Sequence, residues 1–332
     1  MNIINELNLN ISIVIPVFNS QSTLHQCLNS ILEAINENDE VIIVNDGSTD
    51  KSLEMIKNFS DFKIINNKKN YGAGASRNIG ALHSTSEIIL FVDSDIIVDK
   101  KHLAKVREHF LKNISCDAIT ANLNTKNFDS NFFTDYKNLY MDYVLSKSHS
   151  SVNYIYGSFC AIRKNVFLKW PEDIKYVEDS FWGLKLHRNG IVINFINDIK
   201  VIHLKKYSLI SLLRNDFQVA SSFSRAFVDF KRWETLYTKD NFGHTSKKQK
   251  ISVLLSVLVL ISYGISIKFS IFFILIWLFL NLSFFKYFVS NRNFLFALKT
   301  SMWYFFTCII YFLGIMHGLL FLNSSRFKEL EV

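Results

Sequence analysis

The sequence has no pair of cysteines at CxxC spacing; Cys27, Cys116, Cys160 and Cys308 are scattered along its 332 residues. That spacing offers neither a zinc site nor a disulfide framework. Isolated thiols of this kind read as small buried hydrophobes in a reducing compartment. No internal repeat and no low-complexity linker is evident. The chain carries a net charge of +8, but it lacks a long basic arm and any nucleic-acid-binding motif, so nucleic acid is not the expected partner. The N-terminus lacks a basic segment before its first apolar run. That run, Ile11 to Phe18, is interrupted by Pro16, so it reads as a strand and not as a signal peptide.

What is present falls into two compositions. Residues 1–245 mix charged, polar and apolar residues as a self-sufficient globular domain does, whereas residues 251–322 are dominated by Phe, Leu, Ile and Val. The first hundred residues alternate short apolar runs with helical patterns. Ile11–Phe18, Val41–Val44, Lys63–Ile65 and Ile88–Val92 read as strands. Helices are expected from Ser22 to about Ile35 and from Ser48-Thr49-Asp50 to about Phe59, and Gly72–His83 reads as a loop running into a helix. Such alternation implies a mainly parallel sheet covered by helices, with ligands bound beyond the carboxyl ends of its strands. The stretch from 100 to 206 is less regular. It offers a helix from Glu178-Asp179 to about Arg188 and strands over Ile191–Phe195 and Val201–Leu204.

Three polar clusters fall at strand ends. Asp93-Ser94-Asp95 places two carboxylates one residue apart, where they can address one Mg²⁺ or Mn²⁺ that keeps positions open for substrate phosphates. Asn45-Asp46-Gly47-Ser48-Thr49-Asp50 offers a carboxylate for a nucleobase N–H or for ribose hydroxyls; read blandly, it is a capped turn. Asn70 through Asn78 supplies small residues, a helix start and Arg77, all suited to phosphate.

In order and spacing these segments resemble the glycosyltransferase family 2 domain. The matching residues are Ser12–Asn19, Val44–Asp50, Asn70–Gly80, Phe91–Asp95, Gly157–Lys164, and Glu178-Asp179 followed by Gly183, Leu186 and Gly190. The resemblance covers about residues 10–205 and implies an α/β, Rossmann-like GT-A fold that binds a nucleotide-sugar. Carried over by position, it implies that Asp46 binds the base or ribose of a uridine-linked donor, with Pro16 and Val17 lining the base pocket. Asn19 and Ser94 join the donor site. Arg77 serves the diphosphate or the fold beneath it. Asp93 and Asp95 hold the sugar and the metal, Asp95 the more directly, and His203 is a further metal or diphosphate ligand. Asp179, with Glu178 beside it, stands at the general-base position. The resemblance departs at Phe181, where relatives often carry a second acid, and at Lys185, where Arg is common; both departures fall on the acceptor side. The implied activity is metal-dependent, inverting sugar transfer from a nucleotide-diphosphate donor to a hydroxyl of a lipid-linked or cell-surface glycan. A polyprenyl-phosphate sugar synthase is the competing enzyme. A nucleotide-binding membrane scaffold is the competing non-enzyme, against which Asp93, Asp95 and Asp179 argue.

On this reading residues 1–206 form the catalytic domain. Residues 207–250 hold an amphipathic helix and a basic juxtamembrane linker, and 251–332 an all-α membrane region with a short tail. Leu209, Leu213, Phe217, Ala220, Phe223, Phe227 and Phe230 recur at helical spacing, with Arg214, Arg225 and Arg232 on other faces. That pattern reads either as a core-packing helix of the globular domain or, the preferred reading, as a helix lying at the bilayer surface, near Lys247, Lys248 and Lys250, which suit anionic headgroups. Ile251–Ile267, Phe269–Val289 and Ser301–Leu322 are expected to span the membrane. A cytoplasmic catalytic domain then leaves Lys268 outside, returns Lys286, Arg292 and Lys299 inside, and puts Arg326 and Lys328 outside.

Overall fold

The computed structural model describes residues 9–125, 131–174, 176–229 and 246–320. Phe230, Arg232, the end of the third expected span and the charged tail lie outside the described residues. The elements run β1 Ile11–Val17, α1 Leu24–Ala34, β2 Glu40–Asn45, α2 Ser52–Ile56, β3 Lys63–Asn66, α3 Ala73–Leu82, β4 Ile88–Val92, β5 Ile96–Ile97, α4 Lys100–Lys112, β6 Ala118–Leu123, α5 Phe132–Leu145, β7 Ser151–Val152, β8 Phe159–Arg163, α6 Glu178–Arg188, β9 Ile193–His203, α7 Leu209–Asp229, α8 Lys247–Tyr263, α9 Ile267–Leu280, α10 Leu282–Asn291 and α11 Phe294–Leu320. They divide into two compact units. The first holds residues 1–130 and 145–206; the second holds 131–144, the body of α5, together with 207–332.

In the first unit the sheet runs β3-β2-β1-β4-β8-β6-β9-β5, with β7 also on β9. The four strands read from the first hundred residues pair in parallel, β3 on β2, β2 on β1 and β1 on β4. β1 lies between two neighbours with helices on its faces. Ile11, Ile13, Val14, Ile15 and Val17 are accordingly all fully buried, which is why this strand is a continuous apolar run. Beyond β4 the sheet turns mixed: β8 is antiparallel to β4 and to β6, while β6 and β9 are parallel.

Several boundaries differ from the expected ones. The first helix starts at Leu24 behind Thr23 without a side-chain cap, because Ser20 and not Ser22 accepts the first backbone bonds, from Thr23 and Leu24. The second is only Ser52–Ile56, since Asp50 uses its carboxylate to hold the amides of Ser52 and Gln21. The two expected strands around 191–204 are one. The ladder with β6 shifts register where Ala121 pairs Ile196 and Asn122 pairs Lys200, which bulges Asn197, Asp198 and Ile199 out of the pairing. The two polar residues among them imitate a strand break in sequence, whereas a bulge absorbs them in the fold.

Two glycines set how closely the helices behind the site approach. A Cβ on Gly80 would stand 2.2 Å from a Val14 methyl, so α3 sits directly on β1. A Cβ on Gly183 would stand 2.3 Å from the Ile155 nitrogen, so α6 rests on the backbone of 154–155. α3 carries Arg77, and the first turn of α6 carries Glu178 and Asp179.

In the second unit α7 packs along α11. A Cβ on Gly314 would come within 2.6 Å of the Phe217 carbonyl oxygen, and one on Gly318 within 2.1 Å of Ser224 Oγ. The face read as a bilayer-surface stripe is thus in part a helix–helix contact. Of the three expected spans, α11 alone is long and apolar enough, at 27 residues. α9 and α10 qualify only as a pair, bent by 54°. The break falls at Asn281, whose buried side chain donates to Ser252 Oγ and to the Trp277 carbonyl.

Candidate active site

The polar clusters at the ends of β1, β2 and β4 meet at one edge of the parallel strands, as the alternation predicts. Their side chains are tied to each other. Asn19, at φ 49°, turns its Oδ1 to the Thr49 amide at 2.8 Å, and its own amide donates to Ser48 Oγ at 3.1 Å. Ser94 Oγ lies 2.7 Å from Ser20 Oγ, and Thr23 donates to the Ser94 carbonyl at 3.2 Å. The loops after β1, β2 and β4 are therefore cross-linked by their own side chains and backbone.

Three of the residues expected at the donor site, Asp46, Pro16 and Val17, are buried. Asp46 is 2% exposed. One of its oxygens accepts from Asn67 Nδ2 at 2.8 Å and from the Tyr71 amide at 3.0 Å; the other accepts from the Gly72 amide at 2.8 Å. The carboxylate pins the loop that leads into α3. Asn67, which does this with it, carries no sequence signal. Pro16 and Val17 are buried inside β1, because an interior strand turns both faces into the core. The residue presented at that strand end is Phe18, 45% exposed. An exposed aromatic closing an apolar strand was the legible sign of it.

The carboxylates of the Asp93–Asp95 segment separate by function of their partners. Asp93 meets Arg77 Nη2 at 2.7 Å, and its backbone N–H donates to the Ser158 carbonyl at 3.1 Å. Asp95 Oδ2 lies 3.2 Å from His203 Nε2. β5 brings this about, since Ile96 pairs with His203 in the antiparallel ladder to β9. Burial disfavours the ionised form of Asp95, yet His203 and Lys205 hold its carboxyl below the usual carboxylate range. Asp95 Oδ1 is buried with no hydrogen-bond partner. An uncompensated carboxylate oxygen is costly, and beside an imidazole it is an oxygen-plus-nitrogen donor set that suits a divalent cation. Asp95 and His203 fit such an ion. Asp93, held by Arg77, does not join them, and among the described residues no group of three His, Cys, Asp or Glu side chains is placed to hold a metal.

The opposite wall is the first turn of α6. Glu178 Oε1 accepts from Arg77 Nη1 at 3.2 Å. Asp179 Oδ2 accepts from the Gly157 amide at 3.0 Å, and Oδ1 from the Ser180 amide at 2.6 Å. Burial, with the neighbouring Glu178 charge, pushes the Asp179 carboxyl up to about 7 against the bonds from Gly157 and Ser180 and the Arg77 charge. A carboxylate of that basicity is poised to take a proton near neutrality. Gly157 and Ser158 also join the two walls, since Ser158 holds Asp93 while Gly157 holds Asp179. A Cβ on Gly157 would stand 3.0 Å from Asp179 Cβ.

Comparison with known proteins places the chain among glycosyltransferases in sequence and in fold. The sequence model described as "Glycosyl transferase family 2" matches residues 12–170, a span that ends before Glu178. An uncharacterized glycosyltransferase of Haemophilus influenzae is 38% identical over 107 residues, covering 31% of this chain and 43% of that protein. The poly-beta-1,6-N-acetyl-D-glucosamine synthase of Staphylococcus epidermidis is 28% identical over 188 residues, covering 53% of this chain and 45% of its own. The chain thus spans less than half the length of these curated relatives. Among solved structures, a mannosyltransferase from Pyrobaculum calidifontis in complex with GDP-Man and Mn²⁺ has the same fold at a TM-score of 0.59 and 14% identity, over 93% of this chain and 86% of that one.

Proposed function

We propose, from the premise that this chain carries a glycosyl transferase family 2 domain, that it moves a sugar with inversion from a nucleotide-diphosphate donor, a UDP-sugar, to a hydroxyl of a lipid-linked or cell-surface glycan at the cytoplasmic face of a membrane. The observation that carries this reading is the joining of both walls on one guanidinium. Arg77 holds Asp93 on the donor side and Glu178 on the acceptor side, so the Asp93–Asp95 segment and Asp179 belong to one site.

The donor nucleotide would enter over Phe18 and the loop that Asp46 anchors. Asp95 and His203 would hold Mg²⁺ or Mn²⁺, which supplies counter-charge to the departing diphosphate. Asp179 would take the proton of the acceptor hydroxyl as that oxygen bonds to the anomeric carbon and the bond to the diphosphate breaks. A base near neutrality in proton affinity favours a hydroxyl acceptor over a lipid phosphate, which needs no such base.

Membrane attachment is supported by α11. Only 28% of its most apolar window is buried within the protein, unlike the core helix of a soluble domain. Ile265, just before α9, and Ile267, Phe269, Phe272 and Leu275 on it are also exposed, a run of large apolar side chains suited to contact with lipid.

The test is a donor screen on the full chain purified in detergent, with Mg²⁺ or Mn²⁺, followed by product analysis with lipid-linked sugar and with polyprenyl phosphate as acceptors. A sugar newly bonded to a sugar hydroxyl is expected. Product only on polyprenyl phosphate would give the lead to the synthase, and no turnover of any nucleotide-sugar would reject the reading.

A further inference from the structure

The sequence pattern places Arg77 near phosphate, but its surroundings point elsewhere. Its side chain is 4% exposed. Nη2 is engaged by Asp93 at 2.7 Å and Nη1 by Glu178 at 3.2 Å. The guanidinium lies 4.4 Å from the Trp170 ring centroid, and Trp170 is itself stacked on Trp182 at 3.9 Å. A ring packs on one face, a carboxylate engages each terminal nitrogen, and Nε is buried without a hydrogen-bond partner, so the guanidinium turns its two terminal nitrogens to carboxylates and none of its donors to the surface. The planar fork of Arg is suited to bridging two carboxylates in fixed relative positions; the point charge of Lys is not.

The geometry points to Arg77 as a positioning residue that sets the donor-side Asp93 and the first turn of α6 in register, so that Asp179 faces the donor's anomeric carbon. This rests on the glycosyltransferase reading above. Three independent features converge on it. α3 is fixed on β1 by the close approach at Gly80, α6 is fixed on 154–155 by that at Gly183, and Arg77 is the ionic tie between them. Gly157 fills the remaining space, since a Cβ there would come 3.4 Å from Arg77 Nη2.

The test compares Arg77→Lys, Glu178→Ala and the double variant with the wild-type full chain in detergent. Each is measured for melting temperature, UDP affinity by calorimetry in Mg²⁺, and kcat with the UDP-sugar found best in the donor screen. Arg77→Lys keeps the charge and loses the fork. It is expected to melt near the wild type and to bind UDP within about threefold, while kcat falls about 10²-fold, the cost of roughly an ångström of misplacement. Glu178→Ala is expected to lower kcat about tenfold, as for one charge-assisted hydrogen bond. The double variant should be no worse than Arg77→Lys, because both break one tie. A UDP affinity reduced tenfold or more in Arg77→Lys would make Arg77 a diphosphate ligand and overturn the proposal. So would wild-type kcat in either single variant, or additive losses in the double. A wild-type chain that neither binds UDP nor turns over any UDP-sugar would instead reject the glycosyltransferase reading on which the proposal stands.

Discussion

Asp179 is the residue on which the chemistry turns, and its environment makes a pH prediction. Its carboxyl is pushed up to about 7 by burial and by Glu178. The base works when ionised, so kcat/KM should rise with pH through about 7 and then level off. Glu178→Gln removes the adjacent negative charge, lowers the proton affinity of Asp179, and should move that acidic limb to lower pH. A limb at the same pH in wild type and Glu178→Gln would mean that another group limits activity there. The sign for stability is opposite to that for activity. A carboxyl whose folded-state proton affinity is raised stabilises the fold most at low pH, and that contribution is lost as pH rises through about 7. At this scale the sequence was legible in kind but not in contact. Asp93 and Asp95 could be named from their spacing at a strand end, and Glu178 and Asp179 from the family resemblance. That Arg77 would take Asp93, leaving Asp95 with His203, could not, because it depends on which helix faces which strand end.

Among the elements, the loops and helix starts hold most of what could not be read. β1, β2, β3 and β4 were legible because each is a short apolar run that stops at a polar cluster, whereas β6 and α4 lie in the stretch that looked irregular. The loop from Asn67 to Gly72 illustrates the limit: its shape depends on a carboxylate about twenty residues earlier. Asp46→Ala removes acceptors for Asn67 Nδ2, Tyr71 and Gly72. Bonds to a charged group contribute about 1.5–3 kcal/mol each, enough to loosen the loop while the sheet persists. Amide exchange at Tyr71 and Gly72 should quicken and UDP affinity should fall; unchanged protection at those two amides would contradict the anchoring role. In the second unit Gly314→Leu should lower the melting temperature in detergent. Its added atoms meet the Phe217 carbonyl and the Ala220 methyl, and such overpacking costs about 1–3 kcal/mol or more. An unchanged melting point would mean that α7 and α11 do not depend on this close approach.

For the whole molecule, the division into a sheet-based unit and a helical one departs from the change in composition near residue 250, because α5 and α7 both lie before it and both belong with the helical unit. α5 lies within the stretch read as catalytic domain. Its Lys137 and Asp216 of α7 form an ion pair at 2.7 Å, a contact between residues 79 apart that no local pattern announces. The number of spans was less legible, because a bent pair such as α9 and α10 has the same composition as a straight span.

The most direct test of the central claim is made on the full chain in detergent with Asp179→Asn, which keeps the size and the acceptor oxygen but cannot take the proton. UDP binding should match the wild type, while transfer to the acceptor falls by about 10²-fold or more. Transfer at the wild-type rate in Asp179→Asn would contradict the account, since the acceptor would then need no base and the two walls of the site would not act as one.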